Sequence, residues 1–466
     1  MYAAISGLQT HMKALAVIGN NISNVNTVGY KAARYTFNEA LYSTSRGGSD
    51  GTTTAGGRNP AQNGFGASIG TIDIDMSTKN YTPTGWGLDT MIDGDGFFIV
   101  GDKVIGEDEL SKITLGDLTT LKSMNLTRLG NFNIDPTGYL VDGNGSVAWG
   151  FLCVEAAPAY NPNTGEAIYP SGDPPALPPE TATGDSPVKY LKNMTEQDIK
   201  DLNSARRKSG LPELTNITYT EKMETVNGQE QIARDDNGDA IMVVKSATVP
   251  ATQLSAMRLP VLATKTKMVQ SGTGDDAEWV PVSPPETVTE IVWVDPDSLE
   301  DGKAVGTVEW DPPLNADGGG NTGGGNAGTA TEQFRIEYTR VESDSVTIDE
   351  KTGALRIMTS DGTLYTVGYL AIAKVTNPNG VTHVDGRYYQ ALDGAGTIRV
   401  TSVGGAVAGV ETSGGTGLVT GGLESSGTDL ATEIANMIAV QRGYQANTRI
   451  VTVTDSMLEE LVNMKR

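Results

Sequence analysis

The fold is decided at the start of the chain, where residues 5–26 read ISGLQTHMKALAVIGNNISNVN. Apolar side chains recur there at alternating steps of three and four residues, with Gly19 at one of the steps. That period is typical of an α-helix with one narrow apolar stripe. It predicts a helix from about Ala3 to Val25, which ends in an Asn-rich stretch because Asn competes for backbone hydrogen bonds. The expected packing residues are Ile5, Leu8, Met12, Leu15, Ile22 and Val25.

A second, longer helix is predicted at the other end of the chain. Asp429 or Thr428 is placed to cap its first turn, and Glu433 complements the helix dipole there. A helix of about 35 residues would be roughly 50 Å long. The residues that approximate one packing face are Leu430, Ile434, Met437, Ile438, Gln441, Tyr444, Val451, Leu458, Leu461 and Val462.

Two amphipathic helices at opposite ends of a chain have two interpretations. In one, both helices pack on a globular core. In the other, they form a pair that stands apart from the middle of the chain and joins neighbouring copies. Narrow apolar stripes suit coiled-coil seams better than broad burial, which favours the second interpretation.

The middle of the chain is predicted to be β-rich, which makes the fold class α+β and multidomain. Apolar and polar residues alternate over 72–76 and 334–339, as in strands with one wet face. Prolines crowd 158–187, which predicts loop or linker. One short helix is expected over 196–208, capped by Thr195, and the glycine tract 318–328 is expected to be a flexible connection.

Composition argues against several classes of function. The 466 residues carry a formal charge of −23, most of it in the middle of the chain, which disfavours nucleic acid and anionic membrane surfaces. One cysteine and two histidines leave little for metal, cofactor or triad chemistry, so we expect no metal, no cofactor and no enzyme. The apolar run 14–18 is too short for a signal peptide, and nothing is long enough to span a bilayer.

Few residues suggest chemistry. The loops 93–96 and 235–239 have the look of calcium loops, but the second lacks the glycine and the bidentate glutamate, and turns are the favoured interpretation. His11 is expected to flank the helix stripe. Cys153 is interpreted as a small apolar strand residue rather than a reactive thiol.

Four separated motifs carry a family resemblance. They are NNISNVNTVGYK at 20–31, IDGDGFFIV at 92–100, TRLGNFNID at 127–135, and the C-terminal pair LESS at 423–426 and QRGYQAN at 441–447. In this order they resemble the flagellar rod and hook axial proteins. The signature turn of that family falls here on Asn20, Asn21, Asn24, Thr27, Gly29 and Tyr30.

The resemblance implies a layered organisation. Residues 1–30 with 426–466 would form the helical polymerisation domain and 31–75 with 411–425 a connecting segment. Residues 76–150 with 335–410 would form a discontinuous β domain, and 151–334 an inserted outer β domain. The long insertion is similar to that of the hook-forming members of the family.

The resemblance also implies a function and partners. The chain would be a hook subunit that assembles with itself into a flexible, hollow helical tube and transmits motor torque to the filament. Partners would be rod, hook-cap and hook–filament junction proteins and the type III export machinery, with export to the flagellum outside the cell and no cleaved signal. Because apolar packing residues are costly to expose, we expect the terminal segments to be largely disordered in the monomer and to fold on assembly. A distal rod subunit and a cell-surface β-sandwich adhesin are the alternatives.

Overall fold

The computed structural model describes residues 2–464 except 49, 52–55, 103–112, 114, 116–117, 169–188, 227–228, 235–237, 272–277, 283–286, 293–307, 312–332, 360–361, 363 and 385. The chain divides into two compact units. Unit 1 comprises Met1–Thr82, Asn377–Val381 and Leu423–Arg466, and unit 2 comprises Pro83–Thr376 and Thr382–Gly422. Both ends of the chain therefore fold into the same unit.

The helices and strands confirm the α+β class. The helices are α1 (Tyr2–Ser23), α2 (Leu118–Ser123), α3 (Glu196–Lys208) and α4 (Leu430–Met464). The strands of the first half are β1 (Ala33–Glu39), β2 (Tyr42–Arg46), β3 (Ala61–Gly64), β4 (Ala67–Ile74), β5 (Tyr81–Pro83), β6 (Thr90–Asp93), β7 (Phe97–Gly101), β8 (Asn125–Thr127), β9 (Asn133–Ile134), β10 (Leu140–Val141), β11 (Val147–Glu155), β12 (Ala159–Tyr160), β13 (Ala167–Ile168), β14 (Lys189–Tyr190), β15 (Thr215–Glu221), β16 (Met223–Val226) and β17 (Gln229–Ile232). The remaining strands are β18 (Met242–Pro250), β19 (Ser255–Ala256), β20 (Val261–Ser271), β21 (Glu278–Pro281), β22 (Thr287–Val292), β23 (Val308–Asp311), β24 (Gln333–Arg340), β25 (Val346–Ile348), β26 (Ala354–Met358), β27 (Leu364–Val375), β28 (Thr382–His383), β29 (Tyr388–Gln390), β30 (Ile398–Ser402), β31 (Glu411–Thr412), β32 (Gly417–Thr420) and β33 (Gly422–Glu424).

All three predicted helices are present close to their predicted bounds. Helix α4 is capped by Asp429, whose carboxylate accepts hydrogen bonds from the Ala431 amide at 3.1 Å and the Thr432 hydroxyl at 2.6 Å. Helix α3 begins at the predicted N-cap residue Thr195, which forms a capping box with Asp198. Its chain reverses at Gly210, whose φ of 71° is a left-handed value that favours glycine.

Unit 1 adds a long antiparallel β-ribbon to its helices. Strand β1 pairs with β4, and β2 pairs with β3 further along the ribbon. The predicted alternation over 72–76 is wrong in detail, because β4 ends at Ile74 and the side chain of Ile72 is exposed. Ile72 lies opposite Tyr35, next to an irregularity in register between Tyr35 and Phe37.

Unit 2 is built on one large, mostly antiparallel sheet. Its main path runs β15-β18-β11-β27-β7-β8-β29-β28. The long strand β27 bridges β7, where Ile372 lies opposite Phe98, and β11, where Leu370 lies opposite Gly150. The sheet thus joins chain segments from before and after the insertion. Strand β11 also pairs with β18 of the insertion, so the hydrogen-bonded sheet runs across the predicted boundary at residue 151.

A second sheet in unit 2 is formed mainly by the insertion. Its strand β24 begins at Gln333 and continues past the predicted end of the insertion at residue 334. Its order is β21-β20-β24-β23, with β22 on β20. The alternation predicted for 334–339 is confirmed on β24, where Ile336 and Tyr338 are buried while Glu337 and Thr339 are exposed. The glycine tract 318–328 and most of the proline-rich stretch lie outside the described residues.

The remaining candidate sites are structural. Cys153 is buried in β11, and burial raises the pKa of its thiol to about 12, so the thiolate is scarce at neutral pH. In the loop 93–96, the buried Arg128 guanidinium donates to the carbonyl oxygens of Gly94 at 2.7 Å and Gly96 at 2.8 Å. Positive φ values at both glycines fit this turn. The first three residues of the loop 235–239 lie outside the described residues.

Candidate assembly surface

Helices α1 and α4 pack side by side and antiparallel within unit 1. Asn21 near the end of α1 contacts Glu433 near the start of α4, and Gly7 near the start of α1 lies against Asn447. Between them, Gly443 faces the His11 ring. A Cβ at Gly443 would lie 2.7 Å from His11 Cε1, so this glycine is needed for the close approach of the two helices.

Small and branched side chains fill the contact between the two helices. Ala14, Ile18 and Val440 form its buried centre. Leu15, Ile22, Tyr35 and Met437 pack around them and stay partly exposed. This cluster is small compared with the core of unit 2, so it fixes the pair of helices without covering their apolar surface.

The packing residues predicted on α1 lie to one side of that contact. Leu8, Leu15 and Ile22 are half-buried, as is Val25 just after the helix, whereas Ile5 and Met12 are exposed. The residues of α1 that turn fully inward are instead Ala4, Thr10, Ala14, Ile18 and Asn21. The predicted stripe is therefore divided: Leu15 and Ile22 pack beside the contact with α4, whereas Ile5 and Met12 are left exposed.

The packing residues predicted on α4 divide into two groups. Met437, Tyr444 and Val451 are half-buried on the side of α1. The others are exposed, together with further apolar residues that sequence reasoning did not select. The predicted exposed residues are Leu430, Ile434, Ile438, Gln441, Leu458, Leu461 and Val462, and the additional ones are Ile450, Val453, Met457 and Met464.

The Asn-rich signature turn fastens the end of α1 to the rest of unit 1. The buried Asn21 amide nitrogen donates to the Ala33 carbonyl at 2.8 Å and to Glu433 Oε1 at 2.9 Å. Its oxygen accepts from the Tyr30 hydroxyl at 3.0 Å and from the Ala33 amide at 3.0 Å. All four bonding positions of a buried side-chain amide are thereby used.

The other residues of the signature close the turn itself. Asn20 donates to the Tyr30 hydroxyl at 3.1 Å, and Asn24 Oδ1 accepts from the Thr27 hydroxyl at 3.1 Å. Gly29, with a φ of 71°, donates its amide to the Glu424 carbonyl at 2.8 Å. The predicted turn residues thus meet the segment that leads into α4.

A buried ion pair completes the connection between the two ends of the chain. Lys31 Nζ lies 2.7 Å from Glu424 Oε1, and both side chains are almost inaccessible to solvent. The same ammonium donates to the Ser77 carbonyl at 2.8 Å, and the Lys79 amide donates to Glu424 at 2.7 Å. Removing one member of such a pair leaves a buried charge without its partner.

The ionisable groups around this junction are shifted by their surroundings. Burial, followed by the charge of Glu433, raises the pKa of Tyr30 and of Tyr35. Partial burial acts to raise the pKa of Asp75, but hydrogen bonds from Lys79 and Ser77 outweigh it and lower that pKa to about 2. Both tyrosines are therefore neutral and Asp75 is ionised at neutral pH.

Neither metal ligands nor a membrane span emerge from the described part of the chain. The described residues contain no group of three or more His, Cys, Asp or Glu side chains placed to hold a metal ion. None of the described helices combines the length and apolar character needed to cross a bilayer. A cleft of about 680 Å³ in unit 1 is lined by polar and apolar residues, among them Arg34, Asp73, Asp429 and Glu433.

Sequence reasoning missed the residues that join the two ends. Lys31 and Glu424 stand inside quoted motifs, but a pairing between positions 393 residues apart leaves no periodic signal. Ala14, Ile18 and Val440 lie beside the predicted stripes, so the period of the apolar residues does not select them. The signal for Gly7 and Gly443 was their position inside otherwise regular helices.

The two ends of the chain match known family models. Residues 1–31 match the model described as flagella basal body rod protein, and residues 419–464 match the C-terminal model of the flagellar basal body rod FlgEFG proteins. These are the segments that form α1 with its turn and the lead-in to α4 with α4 itself. The assembly surface thus coincides with the matched segments.

Relatives extend the similarity beyond the ends. The flagellar basal-body rod protein FlgG of Bacillus subtilis is 45% identical over 145 residues, which is 31% of this chain and 48% of that protein. The flagellar hook protein FlgE of Borreliella burgdorferi is 25% identical over 517 aligned positions, covering 100% of this chain and 99% of that protein. FlgE of Escherichia coli is 25% identical and covers 99% of each chain.

The terminal helices have open apolar faces, and both units contain β-structure. Together with these matches, those features define a structural protein that assembles with copies of itself. The family models that match its two ends, and the proteins that align along its whole length, are those of flagellar rod and hook axial proteins. Its full-length alignments are with hook proteins of that family.

Proposed function

We propose that this chain is the structural subunit of a bacterial flagellar hook. Many copies stack helically into a hollow, flexible tube that transmits torque from the motor to the filament. One observation carries the proposal: apolar residues on α1 and α4 stay exposed in the chain, and the buried apolar cluster that joins the two helices is small. Burying one such side chain contributes about 1.5–3 kcal/mol, so a row of them favours assembly.

Hook rather than rod is supported by the extent of the alignments. Hook proteins align over nearly all of both chains, whereas the rod protein FlgG aligns over 31% of this one. Exposed polar contacts of the acidic middle are individually weak, which suits a tube whose subunits slide past one another as it bends. A rod subunit would form straight tubes, so curvature in electron micrographs of assembled protein distinguishes the two.

The layered organisation remains part of the proposal. Residues 1–30 with 426–466 would line the tube, 31–75 with 411–425 would connect, and 76–150 with 335–410 and the insertion 151–334 would form the outer layers. Rod, hook-cap and hook–filament junction proteins would adjoin the tube. Type III export without a cleaved signal would deliver the chain, and no catalytic role is proposed.

The decisive experiment removes α4. Purified protein lacking residues 430–466 is placed in concentrated sulfate, which strengthens apolar association, and is viewed by negative-stain electron microscopy beside the full chain. We expect tubes from the full chain and none from the truncated one. A matched control, Leu364→Asn, changes an exposed leucine of unit 2 and should assemble normally. Tubes formed without α4 would refute the proposal.

Limited proteolysis tests whether the ends fold on assembly. Free protein should be cut near both termini well before residues 90–150, and assembled tubes should resist cleavage at both places. Equal resistance of the termini and of residues 90–150 in free protein would contradict coupled folding.

A further inference from the structure

Helix α4 carries an unbroken heptad on the side that faces α1. Its positions alternate at steps of four and three from the start of the helix almost to its end. They are Glu433, Met437, Val440, Tyr444, Asn447, Val451, Thr454, Leu458 and Leu461. A strict heptad is the pattern that keeps one helix in continuous contact with a partner.

Helix α1 covers only part of this heptad. Every position from Glu433 to Thr454 is buried or half-buried, whereas Leu458 and Leu461 are exposed. The contact between Gly7 and Asn447 explains the limit, because α1 begins at Tyr2, and five residues extend about 7.5 Å along an antiparallel helix. The last turns of α4 therefore continue an existing interface, and the described residues of unit 1 leave Leu458 and Leu461 uncovered there.

Helix α1 has a matching surface that is open toward its N-terminus. Its stripe Ile5, Leu8, Met12, Leu15 and Ile22 has a similar three-and-four period, and Leu15 and Ile22 at its far end pack beside the contact with α4. The first part of it, from Ile5 to Met12, is the more open part. It spans about 10 Å, close to the length of the uncovered end of α4.

Charge agrees with this match. Helix α1 carries Lys13 and no acidic residue. The end of α4 that lies beyond α1 carries Asp455, Glu459 and Glu460, which outnumber the Lys465 and Arg466 that follow the helix. Oppositely charged surfaces favour the approach of one helix to the other.

We propose that Leu458 and Leu461 of each copy are covered by Ile5, Leu8 and Met12 of a second copy. The C-terminal end of α4 in one subunit thereby packs on the N-terminal part of α1 in the next subunit. This contact rests on the proposed hook function and specifies which faces meet. The chain's own α1 does not supply it, because that helix already occupies the heptad up to Thr454.

A pair of variants tests the position of the contact. Leu458→Asn with Leu461→Asn should raise the protein concentration needed for tube formation at least tenfold, while the thermal unfolding curve of the free chain stays unchanged because both side chains are exposed. The matched control is Met358→Asn with Leu364→Asn, two similarly exposed apolar residues of unit 2 that lie away from both helices. An equal loss in both variants, or no loss in the first, overturns the proposal.

Cross-linking tests the partner. Two chains are prepared on a Cys153→Ser background, one with Leu8→Cys and the other with Leu461→Cys, and are mixed, assembled and treated with a short bismaleimide. We expect a cross-linked pair of the two chains in tubes and at most a tenth as much when Val453→Cys replaces Leu461→Cys. Tubes without this selective product overturn the contact alone. Absence of tubes from the unsubstituted chain would overturn the proposed hook function instead.

Discussion

The sheet of unit 2 and the helix pair of unit 1 differ in how far their apolar side chains are exposed to solvent. In the sheet, Phe98, Ile99, Leu355 and Ile372 are at most 1% exposed. In α4, Val440 is the one residue that is buried, although the helix has 35 residues. Unit 2 encloses its own core, whereas the helix pair presents apolar surface that needs other copies to cover it.

The largest effect should come from the enclosed core. Phe98→Ala should lower the free energy of unfolding of unit 2 by about 3–5 kcal/mol, because it leaves a cavity beside Phe132. Urea unfolding followed by the fluorescence of Trp149, which is buried in the same unit, measures it. The matched Met457→Ala on α4 should change stability by less than about 0.5 kcal/mol. Similar losses in both would remove the contrast between the units.

The ion pair at the junction should be the most sensitive point of unit 1. Lys31→Met should lower its stability by about 3 kcal/mol, because Glu424 stays buried without the ammonium. The loss of helical circular dichroism on heating reports on α1 and α4. Adding Glu424→Gln removes the charge and keeps an acceptor for the Lys79 amide, so the double variant should recover much of the loss. A double variant no better than Lys31→Met would contradict the electrostatic explanation.

A smaller effect is expected at the signature turn. Asn21→Ala should lower the stability of unit 1 by about 1–3 kcal/mol, because the Ala33 backbone and Glu433 lose their buried partner. The same thermal measurement applies. The neighbouring Asn20→Ala is the control and should cost less than about 0.5 kcal/mol, since Asn20 is exposed. Equal losses of stability at the two positions would show that the buried hydrogen bonds of Asn21 are not what stabilises the turn.

The smallest effect should be acid sensitivity at Asp75. Its pKa is lowered from 3.8 to about 2, so its carboxylate stabilises the folded state above about pH 4 and loses that effect as pH falls toward 2. The side chain is 47% exposed, and the contribution is about 0.2–1 kcal/mol. Asp75→Asn should therefore flatten the decline of unit 1 stability between pH 4 and pH 2. An unchanged slope in that window would show that Lys79 and Ser77 do not stabilise the charged form.

Local sequence signals predicted the helices well and the tertiary arrangement poorly. The period of residues 5–22 and the cap at Asp429 fixed where α1 and α4 lie, because both are local features. The strand β27 links β7 and β11 through pairings of distant segments, which no local pattern contains. On α1 the stripe was recognised, but which of two faces meets α4 depends on Gly443 and the His11 ring, a contact between the two ends of the chain.

The pairing of Lys31 with Glu424 has a consequence for biosynthesis. The two residues are 393 positions apart, and at bacterial elongation rates of about 5–20 residues per second the ribosome needs roughly 20–80 seconds to travel between them. Throughout that interval Glu424, the partner of Lys31, has not yet been synthesised. A nascent chain therefore forms this ion pair, and the junction built around it, only after residue 424 has been translated.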